Sequence, residues 1–226
     1  MYTLAEALMA ERETGRSGRR VTAVPPALAR VEQRMLELAT ATCPPALGPV
    51  LGEGDPTSPL ALVGEAPGER EVAEGYPFAG PAGRLLDEIL AELGAHRMQL
   101  WLTNVVKCRP VRQNGERLTN RPPLAAELAA WLPLLMAELE AIHPRCLVCL
   151  GATSARALLG RGFRLTEQRG RWLPGPLGTR AMATFHPAYV LHLEPHDPAA
   201  SRAARETVKN DLATALTCLS RGGGAT

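Results

Sequence analysis

The stretch Leu60-Ala61-Leu62-Val63-Gly64, followed directly by EAPGE (65–69), decides the fold of this chain of 226 residues. An apolar run without alternation is typical of a strand that is buried on both faces of a parallel sheet. Three more short apolar runs follow it: LWLTNVV (100–106), CLVCLG (146–151) and AMATFH (181–186). Helical patterns lie between the runs: AGRLLDEILAELG (82–94), LAAELAAWLPLLMAELEAI (124–142) and ATSARALLG (152–160). This alternation predicts an α/β fold, a parallel sheet covered by helices on both faces.

The composition is that of a globular protein, with 46% hydrophobic and 21% charged residues. No apolar run reaches the roughly 18–20 residues that span a bilayer, and the polar N-terminus lacks a signal-peptide pattern. The five cysteines, at positions 43, 108, 146, 149 and 218, are odd in number and unevenly spaced. A disulfide framework fits them poorly, so we expect a reducing, cytoplasmic location and no membrane partner.

The chain divides into three parts by pattern. Residues 1–45 are expected to form an N-terminal arm with a helix near 26–40, residues 46–220 the α/β domain, and residues 221–226 a disordered tail. Charge is uneven as well, because residues 107–180 hold 12 cations and 5 acids, a net of +7. A basic segment of this kind is compatible with a polyanionic partner.

Ligands of open parallel sheets bind beyond the carboxyl ends of the strands. After the first run, the Gly64–Gly68 turn offers backbone N–H groups to a ligand, with the carboxylates of Glu65 and Glu71 nearby. Phe78 stands on a loop rich in glycine and proline, where an aromatic ring is either a stacking platform for a base or a hydrophobic plug.

Polar residues also follow the second and fourth runs. The amide of Asn104 suits the edge of a pyrimidine, but a structural cap is equally compatible with its position. The loop after it is cationic, as a phosphate contact or a solvated face would be. His186 ends the last strand, and residues 189–191 beyond it suit either an apolar wedge that enters DNA or the start of a helix that packs on the core.

Six motifs in order along residues 50–195 resemble those of the family 4 uracil-DNA glycosylases, the iron–sulfur-containing type. They are GEAPGE (64–69), PFAGPAGRLLD (77–87), TNVVKCRP (103–110), NRPP (120–123), LGATSARALLG (150–160) and HPAYVL (186–191). The resemblance implies a three-layer α/β/α sandwich around a four-stranded parallel sheet. It also implies a monofunctional DNA-repair hydrolase that flips uracil out of DNA, breaks its N-glycosidic bond and leaves an abasic site.

The resemblance assigns roles residue by residue. Phe78 would stack on the uracil, Asn104 would bind its polar edge, and His186 would stabilise charge on the leaving base. The uracil-binding set is Gly64, Ala66, Phe78 and Asn104; the catalytic set is Glu65, Glu71, Asn120 and His186. The DNA-binding set is Lys107, Arg109, Arg112, Arg121, Pro187, Tyr189 and Leu191. We expect a monomer that acts on uracil-containing DNA, single- or double-stranded, in the bacterial cytoplasm at the nucleoid.

The family holds a four-iron cluster on four cysteines, and this chain departs from that pattern. Cys108 matches one ligand, Trp131 stands at the position of another, and Cys43 alone stands where the family has a close pair. We therefore expect no cofactor, no cluster and apolar packing around Trp131, with Cys43 and Cys108 as ligands only of an atypical cluster. Cys146 and Cys149 would point to opposite faces of a strand and so would not share a metal.

The loop between Cys108 and Asn120 is longer than the family's connection. A cross-linking branch of the superfamily also has a long basic loop here, which ends in a histidine that traps the sugar. Asn120 stands at that position, so we expect turnover instead of a covalent trap. Two alternatives remain: a non-catalytic relative that binds DNA lesions, and a glycosylase for another deaminated base, hypoxanthine or xanthine.

Overall fold

The computed structural model describes residues 24–220. The predicted arm over residues 1–23 and the predicted tail at 221–226 lie outside the described residues. Eight α-helices are described, and their bounds follow in chain order. They are α1 (Pro26–Thr42), α2 (Glu69–Glu74), α3 (Pro81–Glu92), α4 (Ala125–Ile142), α5 (Ala152–Leu159), α6 (Leu165–Gln168), α7 (Pro187–Leu193) and α8 (Pro198–Ser220). Across residues 24–220, no helix has the length and apolar character needed to cross a membrane.

The predicted sheet is confirmed. Its strands are β1 (Glu53–Gly54), β2 (Leu60–Gly64), β3 (Trp101–Asn104), β6 (Cys146–Leu150), β7 (Leu173–Pro174) and β8 (Arg180–Thr184), in the order β1-β3-β2-β6-β8-β7. The four central strands are parallel, and β1 and β7 add short antiparallel edges. All four predicted apolar runs are strands, although β3 and β8 end two residues earlier than the runs because the polypeptide turns away after Asn104 and Thr184.

Alternation along the strands divides the core into two layers. Leu60 and Leu62 of β2 face a cluster formed with α3, α7 and α8. Ala61 and Val63 face a second cluster formed with α1 and α4. The helix at the start of the described chain thus packs on the sheet layer through its buried Leu28 and Met35. The result is the three-layer α/β/α sandwich.

The structure contains one disulfide, between Cys146 and Cys218, with their Cα atoms 6.6 Å apart. The sequence analysis judged a disulfide framework a poor fit to the five cysteines, and this bond corrects that expectation at Cys146 and Cys218. The bond is possible because Cys146 faces the layer that holds α8, where Cys218 lies in the last turns. Cys149 lies on the opposite face in a separate cluster, as the strand alternation predicted.

An antiparallel hairpin interrupts the connection from β3 to α4. Its strands are β4 (Val111–Asn114) and β5 (Arg117–Asn120), and Gly115 in the turn has a φ of 59°. Glycine adopts this left-handed conformation without the steric cost that a Cβ would add. The sequence analysis predicted only a long basic loop here, so the hairpin is a finding of the structure.

Candidate active site

The carboxyl ends of the four parallel strands meet at one edge of the sheet, as predicted. Gly64 of β2 pairs in register with Asn104 of β3, and the N–H of Gly151 after β6 donates to the carbonyl of Thr184 in β8. His186 follows β8 so closely that a Cβ at Gly151 would lie 3.2 Å from its Cβ. The polar clusters that the sequence placed on separate strand ends therefore lie in a single crevice.

Phe78 reaches into this crevice from the loop between α2 and α3. Its ring stacks on the imidazole of His186, with centroids 6.1 Å apart and an interplanar angle of 27°. The backbone of Phe78 is left-handed, with a φ of 57°, which is unusual for a bulky residue and persists only where the surroundings enforce it. Gly83 allows the close packing, because a Cβ there would overlap the carbonyl of Phe78.

A buried arginine holds the Phe78 loop in that conformation. The guanidinium of Arg97 donates to the carbonyl oxygens of Pro77 and Phe78 and pairs with the carboxylates of Glu53 and Asp87. Four acceptors around one planar guanidinium fix its position, so the loop carbonyls are fixed as well. The sequence analysis missed Arg97, which lies outside the strand-end motifs and gives no local signal of its role.

His186 is the N-cap of α7 and is held as a neutral donor. Its Nδ1 accepts a hydrogen bond from the N–H of Ala188 at 3.1 Å, so Nε2 carries the proton of the neutral ring. Burial lowers the pKa of His186 to about 4, and the carboxylate of Glu71 opposes this shift only in part. At neutral pH the crevice therefore contains an uncharged imidazole that can donate from Nε2.

Asn104 presents an amide that has no hydrogen-bond partner among residues 24–220. Asn104 is only 4% exposed, yet its side chain makes no hydrogen bond to any residue between 24 and 220. Its Oδ1 lies over Gly64, where an added Cβ would be 2.3 Å from that atom and 2.7 Å from Cζ of Phe78. No side-chain N or O of the described residues is both fully enclosed and without a partner, so the amide of Asn104 keeps access to the crevice. Its free donor and acceptor groups there suit a planar polar ligand.

Glu71 ties two loops of the crevice together. One carboxylate oxygen accepts from the N–H of Gly68 at 3.0 Å, and the other accepts from the N–H of Gly80 at 2.9 Å. Both oxygens are thus occupied by backbone donors. Glu65, by contrast, is half-buried, and its carboxylate makes no hydrogen bond or ion pair within the described part of the chain. Ala66 packs its methyl group against the cluster under α1 and α4, which leaves only its backbone to the crevice.

Asn120 ends the hairpin beside the Gly68 turn. Its Oδ1 accepts from Nε of Arg109 at 2.7 Å, and Arg109 also pairs with Glu69 at 3.1 Å. The amide nitrogen Nδ2 faces the turn, 3.3 Å from the position that a Cβ on Gly68 would occupy. Arg109 therefore orients the amide of Asn120 so that its N–H₂ group is directed to the crevice.

Two residues of the predicted DNA-binding set have buried side chains. Lys107 is fully buried, because its Nζ pairs with Glu138 at 2.6 Å and also donates to the hydroxyl of Thr103 and the carbonyl of Asn104. Pro187 is buried as the first residue of α7. Neither side chain lies open at the surface, so the geometry gives no support to a direct DNA contact by Lys107 or Pro187.

The other predicted DNA contacts differ in exposure. Arg112 and Tyr189 are exposed, whereas Leu191 packs against the core beside α8. Arg121 is half-buried and forms two hydrogen bonds with the carboxylate of Glu127, each 2.7 Å long. Arg112 and Tyr189 are thus the members of the predicted set whose side chains lie open at the surface.

Glu138 is a second residue that the sequence analysis missed. Its carboxylate accepts from Trp101 Nε1 at 3.1 Å and from the hydroxyl of Thr103 at 3.0 Å, in addition to Lys107. A signal was available, because Glu138 falls on the apolar stripe of α4 between Leu135 and Ile142. A charged residue at a buried helical position implies a buried partner.

The residues near Cys43 do not fit an iron–sulfur cluster. Cys43 and Cys108 are free thiols in contact; the hydrogen bond from Cys108 lowers the pKa of Cys43, while this bond and burial raise the pKa of Cys108. Trp131 is buried beside them, in agreement with the apolar packing predicted there. Nowhere in residues 24–220 do three or more histidine, cysteine or acidic side chains form a group that could hold a metal.

Comparisons with known proteins agree with this geometry. Residues 51–213 match the family model of the Uracil DNA glycosylase superfamily. The Type-4 uracil-DNA glycosylase of Thermotoga maritima is 41% identical over 143 residues, covering 63% of this chain and 71% of that protein. The corresponding enzyme of Pyrobaculum aerophilum is 39% identical over 149 residues, covering 63% and 72%. The chain belongs to the uracil DNA glycosylase superfamily and resembles its type-4 members.

Proposed function

We propose that this protein is a uracil-DNA glycosylase that hydrolyses the N-glycosidic bond of deoxyuridine in DNA and leaves an abasic site. The observation that supports this most directly is the nearly buried amide of Asn104, which has no partner within the described part of the chain and lies beside the ring of Phe78. A flat ligand with a polar edge satisfies both groups at once. Uracil is such a ligand once its nucleotide has left the base stack.

Recognition of uracil rests on three residues of the crevice. The ring of Phe78 stacks on one face of the base, and the amide of Asn104 pairs with its polar edge, donating to a carbonyl and accepting from the ring N–H. Gly64 provides room between them, because any Cβ there would collide with both side chains. The base is thereby bound by shape and by the order of its donors and acceptors.

His186 stabilises the leaving group. When the bond between C1′ and N1 breaks, its electron pair goes to the base, and negative charge develops on the uracil carbonyl oxygens. The neutral Nε2–H of His186 donates a hydrogen bond to one of those oxygens as the charge forms. A donor fixed beforehand acts mainly on the transition state, so it lowers the barrier more than it strengthens substrate binding.

Water completes the reaction at the deoxyribose. Its hydroxyl bonds to C1′ of the oxocarbenium-like sugar, and its proton is accepted first by a basic group and finally by the departing uracil. Glu65 suits the role of acceptor, because its carboxylate has no partner within residues 24–220. Asn120 orients the water by donating from Nδ2, since its oxygen is bound by Arg109. Glu71 acts as a positioning residue that joins the Gly68 and Gly80 loops.

The DNA strand around the uracil binds at the exposed mouth of the crevice. Arg112 binds a phosphate, and Tyr189 on α7 packs against the DNA strand beside the extruded nucleotide. A single chain supplies every residue named here, so we propose that a monomer acts. The cytoplasm, at the nucleoid, is the place of action that this function requires, and both single- and double-stranded uracil DNA are substrates.

The test is incubation of the purified protein with a labelled oligonucleotide that contains one uracil, followed by alkali. We expect cleavage at the uracil and, with His186→Ala or Asn104→Ala, a rate about 10²–10³-fold lower. His196→Ala and Asn210→Ala change exposed residues of the same types and should match the wild type. Absence of cleavage by the wild type in both substrate forms would reject the proposal, and a parallel hypoxanthine oligonucleotide would identify a different target base.

A further inference from the structure

The hairpin formed by β4 and β5 has two different faces, and the proposed chemistry uses only Asn120 at its end. The pairing register places Arg112 opposite Thr119 and Asn114 opposite Arg117. Side chains of directly paired residues lie on the same face, and those two residues apart in a strand do as well. Arg112, Asn114, Arg117 and Thr119 therefore share one face, and Val111, Gln113, Leu118 and Asn120 share the other.

The face that holds Asn120 is the face toward the crevice. Asn120 contacts Arg109 and lies beside the Gly68 turn, so the next residue on that face, Leu118, lies farther out along the crevice rim. Leu118 is 39% exposed, although a leucine gains free energy from burial. An exposed leucine two residues from Asn120 is in a position to contact a ligand that binds in the crevice.

The opposite face carries two arginines that form no ion pair with any described residue. Arg112 and Arg117 are exposed, and neither forms an ion pair or a side-chain hydrogen bond with any residue of the described range 24–220. Free guanidinium groups suit phosphates, which they bind in a forked geometry. The charge of this face complements a nucleic-acid backbone.

The base of the hairpin is held rigidly. Arg121, directly after β5, donates from its side chain to the carbonyl of Val111 and pairs with Glu127 on α4. Its backbone N–H donates to the carbonyl of Pro110, and Arg109 fixes Asn120. The position of Leu118 is therefore set before any ligand binds, which reduces the entropy lost on binding.

The hairpin and α7 border the crevice from different sides. The hairpin follows β3 and α7 follows β8, and two strands, β2 and β6, lie between these in the sheet. Three strand spacings correspond to about 14 Å. Tyr189, which is 45% exposed on α7, and Leu118 thus approach the mouth of the crevice from opposite sides.

We propose that the β4–β5 hairpin is an element for binding double-stranded DNA, in which Leu118 enters the base stack beside the extruded nucleotide while Arg112 and Arg117 bind phosphates. This rests on the proposed function, which supplies the extruded nucleotide. Extrusion from a duplex leaves a gap flanked by stacked bases, and an apolar side chain in that gap excludes water and opposes return of the base. A single strand has no opposing strand to keep such a gap open, so Leu118 discriminates between the two forms of substrate.

The experiment compares kcat/KM for one uracil in a duplex and in the same single strand, for the wild type, Leu118→Ala and Leu177→Ala. Leu177 is the matched control, 49% exposed and located before β8, at the amino end of the sheet. We expect Leu118→Ala to lower the ratio of duplex to single-strand kcat/KM about tenfold and Leu177→Ala to keep the wild-type ratio. A ratio for Leu118→Ala within twofold of the wild type would overturn the proposal.

Two further measurements complete the test. With 2-aminopurine beside the uracil, the fluorescence rise that reports unstacking should be smaller with Leu118→Ala than with Leu177→Ala; equal rises would contradict the role of Leu118. In Arg112→Gln/Arg117→Gln the slope of the logarithm of the duplex-binding constant against the logarithm of the salt concentration should be shallower, by the amount that corresponds to about two phosphate contacts. An unchanged slope would contradict the role of the arginines. If the wild type excises uracil from neither substrate, the proposed function fails, whereas wild-type excision with an unchanged ratio in Leu118→Ala rejects the hairpin proposal alone.

Discussion

The imidazole of His186 stacks on the phenyl ring of Phe78, with centroids 6.1 Å apart and planes inclined by 27°. His186 follows the last parallel strand, β8, and Phe78 lies on the loop between α2 and α3, the two helices that follow the first parallel strand, β2. The contact therefore joins, across the crevice, the two rings that we propose to stack on the base and to stabilise the leaving group. Glu71 strengthens it by fixing the loops at Gly68 and Gly80.

The first prediction concerns the protonation of His186. Its pKa of about 4 lies below the ordinary value of 6.5, because burial disfavours the charged ring. The neutral donor should persist as the pH falls from about 8 to about 5, so His186 should introduce no loss of excision rate in that interval. Single-turnover rates against pH, with NMR titration of the assigned His186 ring, check this, and a titration midpoint near 6.5 would contradict it.

The same shift has a consequence for stability. The pKa of His186 is lower in the folded state than in the unfolded state, so the unfolded state takes up the imidazole proton first as the pH falls. The contribution of His186 to the free energy of unfolding is therefore lost from about pH 6.5 down to about pH 4. In His186→Asn this part of the pH dependence should be missing. Urea unfolding of both proteins across that interval measures the difference, and identical pH profiles would refute the assignment.

The second prediction tests the space over Gly64. In Gly64→Ala the new methyl carbon would lie 2.3 Å from Oδ1 of Asn104 and 2.7 Å from Cζ of Phe78, so both side chains must move. We expect excision to fall about 10²-fold, because displacement of positioning groups by an ångström has effects of that size. The backbone of Gly64 is that of an ordinary strand, so the loss of unfolding free energy should be limited to the overlap itself, about 1–3 kcal/mol. An active Gly64→Ala variant would show that the base binds elsewhere.

The parallel sheet and its crevice were predictable from the sequence for a physical reason. Strands buried on both faces, such as β2 and β6, must be apolar throughout, and their ends are then marked by the first polar residues, Asn104 and His186 among them. Both residues lie where this reasoning placed them. The candidate site could therefore be located from the sequence, because its residues lie at the points where the sequence pattern changes.

Partners distant in sequence could not be predicted in the same way. Lys107 was assigned to DNA because it lies in a basic loop, but its charge is buried against Glu138 of α4. The bond between Cys146 and Cys218 depends on how α8 lies across the sheet, which no local pattern specifies. The register of the β4–β5 hairpin, which separates Leu118 from the arginines, likewise depends on pairing that a basic loop does not reveal.

The third prediction concerns this buried ion pair. In Lys107→Met the carboxylate of Glu138 keeps its bonds to Trp101 and Thr103 but loses its cation, so we expect a loss of about 3–5 kcal/mol of unfolding free energy. Lys107→Met/Glu138→Gln removes both charges and should recover part of that loss. Urea denaturation of the single and double variants gives the coupling, and a double variant less stable than Lys107→Met would contradict the interpretation.

The fourth prediction concerns Cys43 and Cys108. Since these two free thiols and the buried Trp131 belong to one apolar cluster that offers no further cysteine ligand, the purified protein should contain no stoichiometric iron and should be colourless. Cys43→Ser/Cys108→Ser should then excise uracil at the wild-type rate, because neither thiol lies in the crevice. Elemental analysis and the visible spectrum of protein purified without oxygen decide the point, and iron that is lost in the double variant would show that the thiols bind a cluster.

The last prediction concerns Arg97, which supports the strained backbone of Phe78. Arg97→Met removes the donors to the carbonyls of Pro77 and Phe78 and leaves Glu53 and Asp87 without their shared cation. We expect a stability loss of about 2–4 kcal/mol and, in the fraction that remains folded, a higher KM, because the Phe78 ring is no longer held against His186. Arg84→Met, at an exposed position of α3, is the matched control and should leave both quantities unchanged. Urea unfolding and steady-state kinetics at a temperature where both variants are folded separate the two effects. A stability loss with an unchanged KM would mean that Arg97 supports the fold without positioning Phe78.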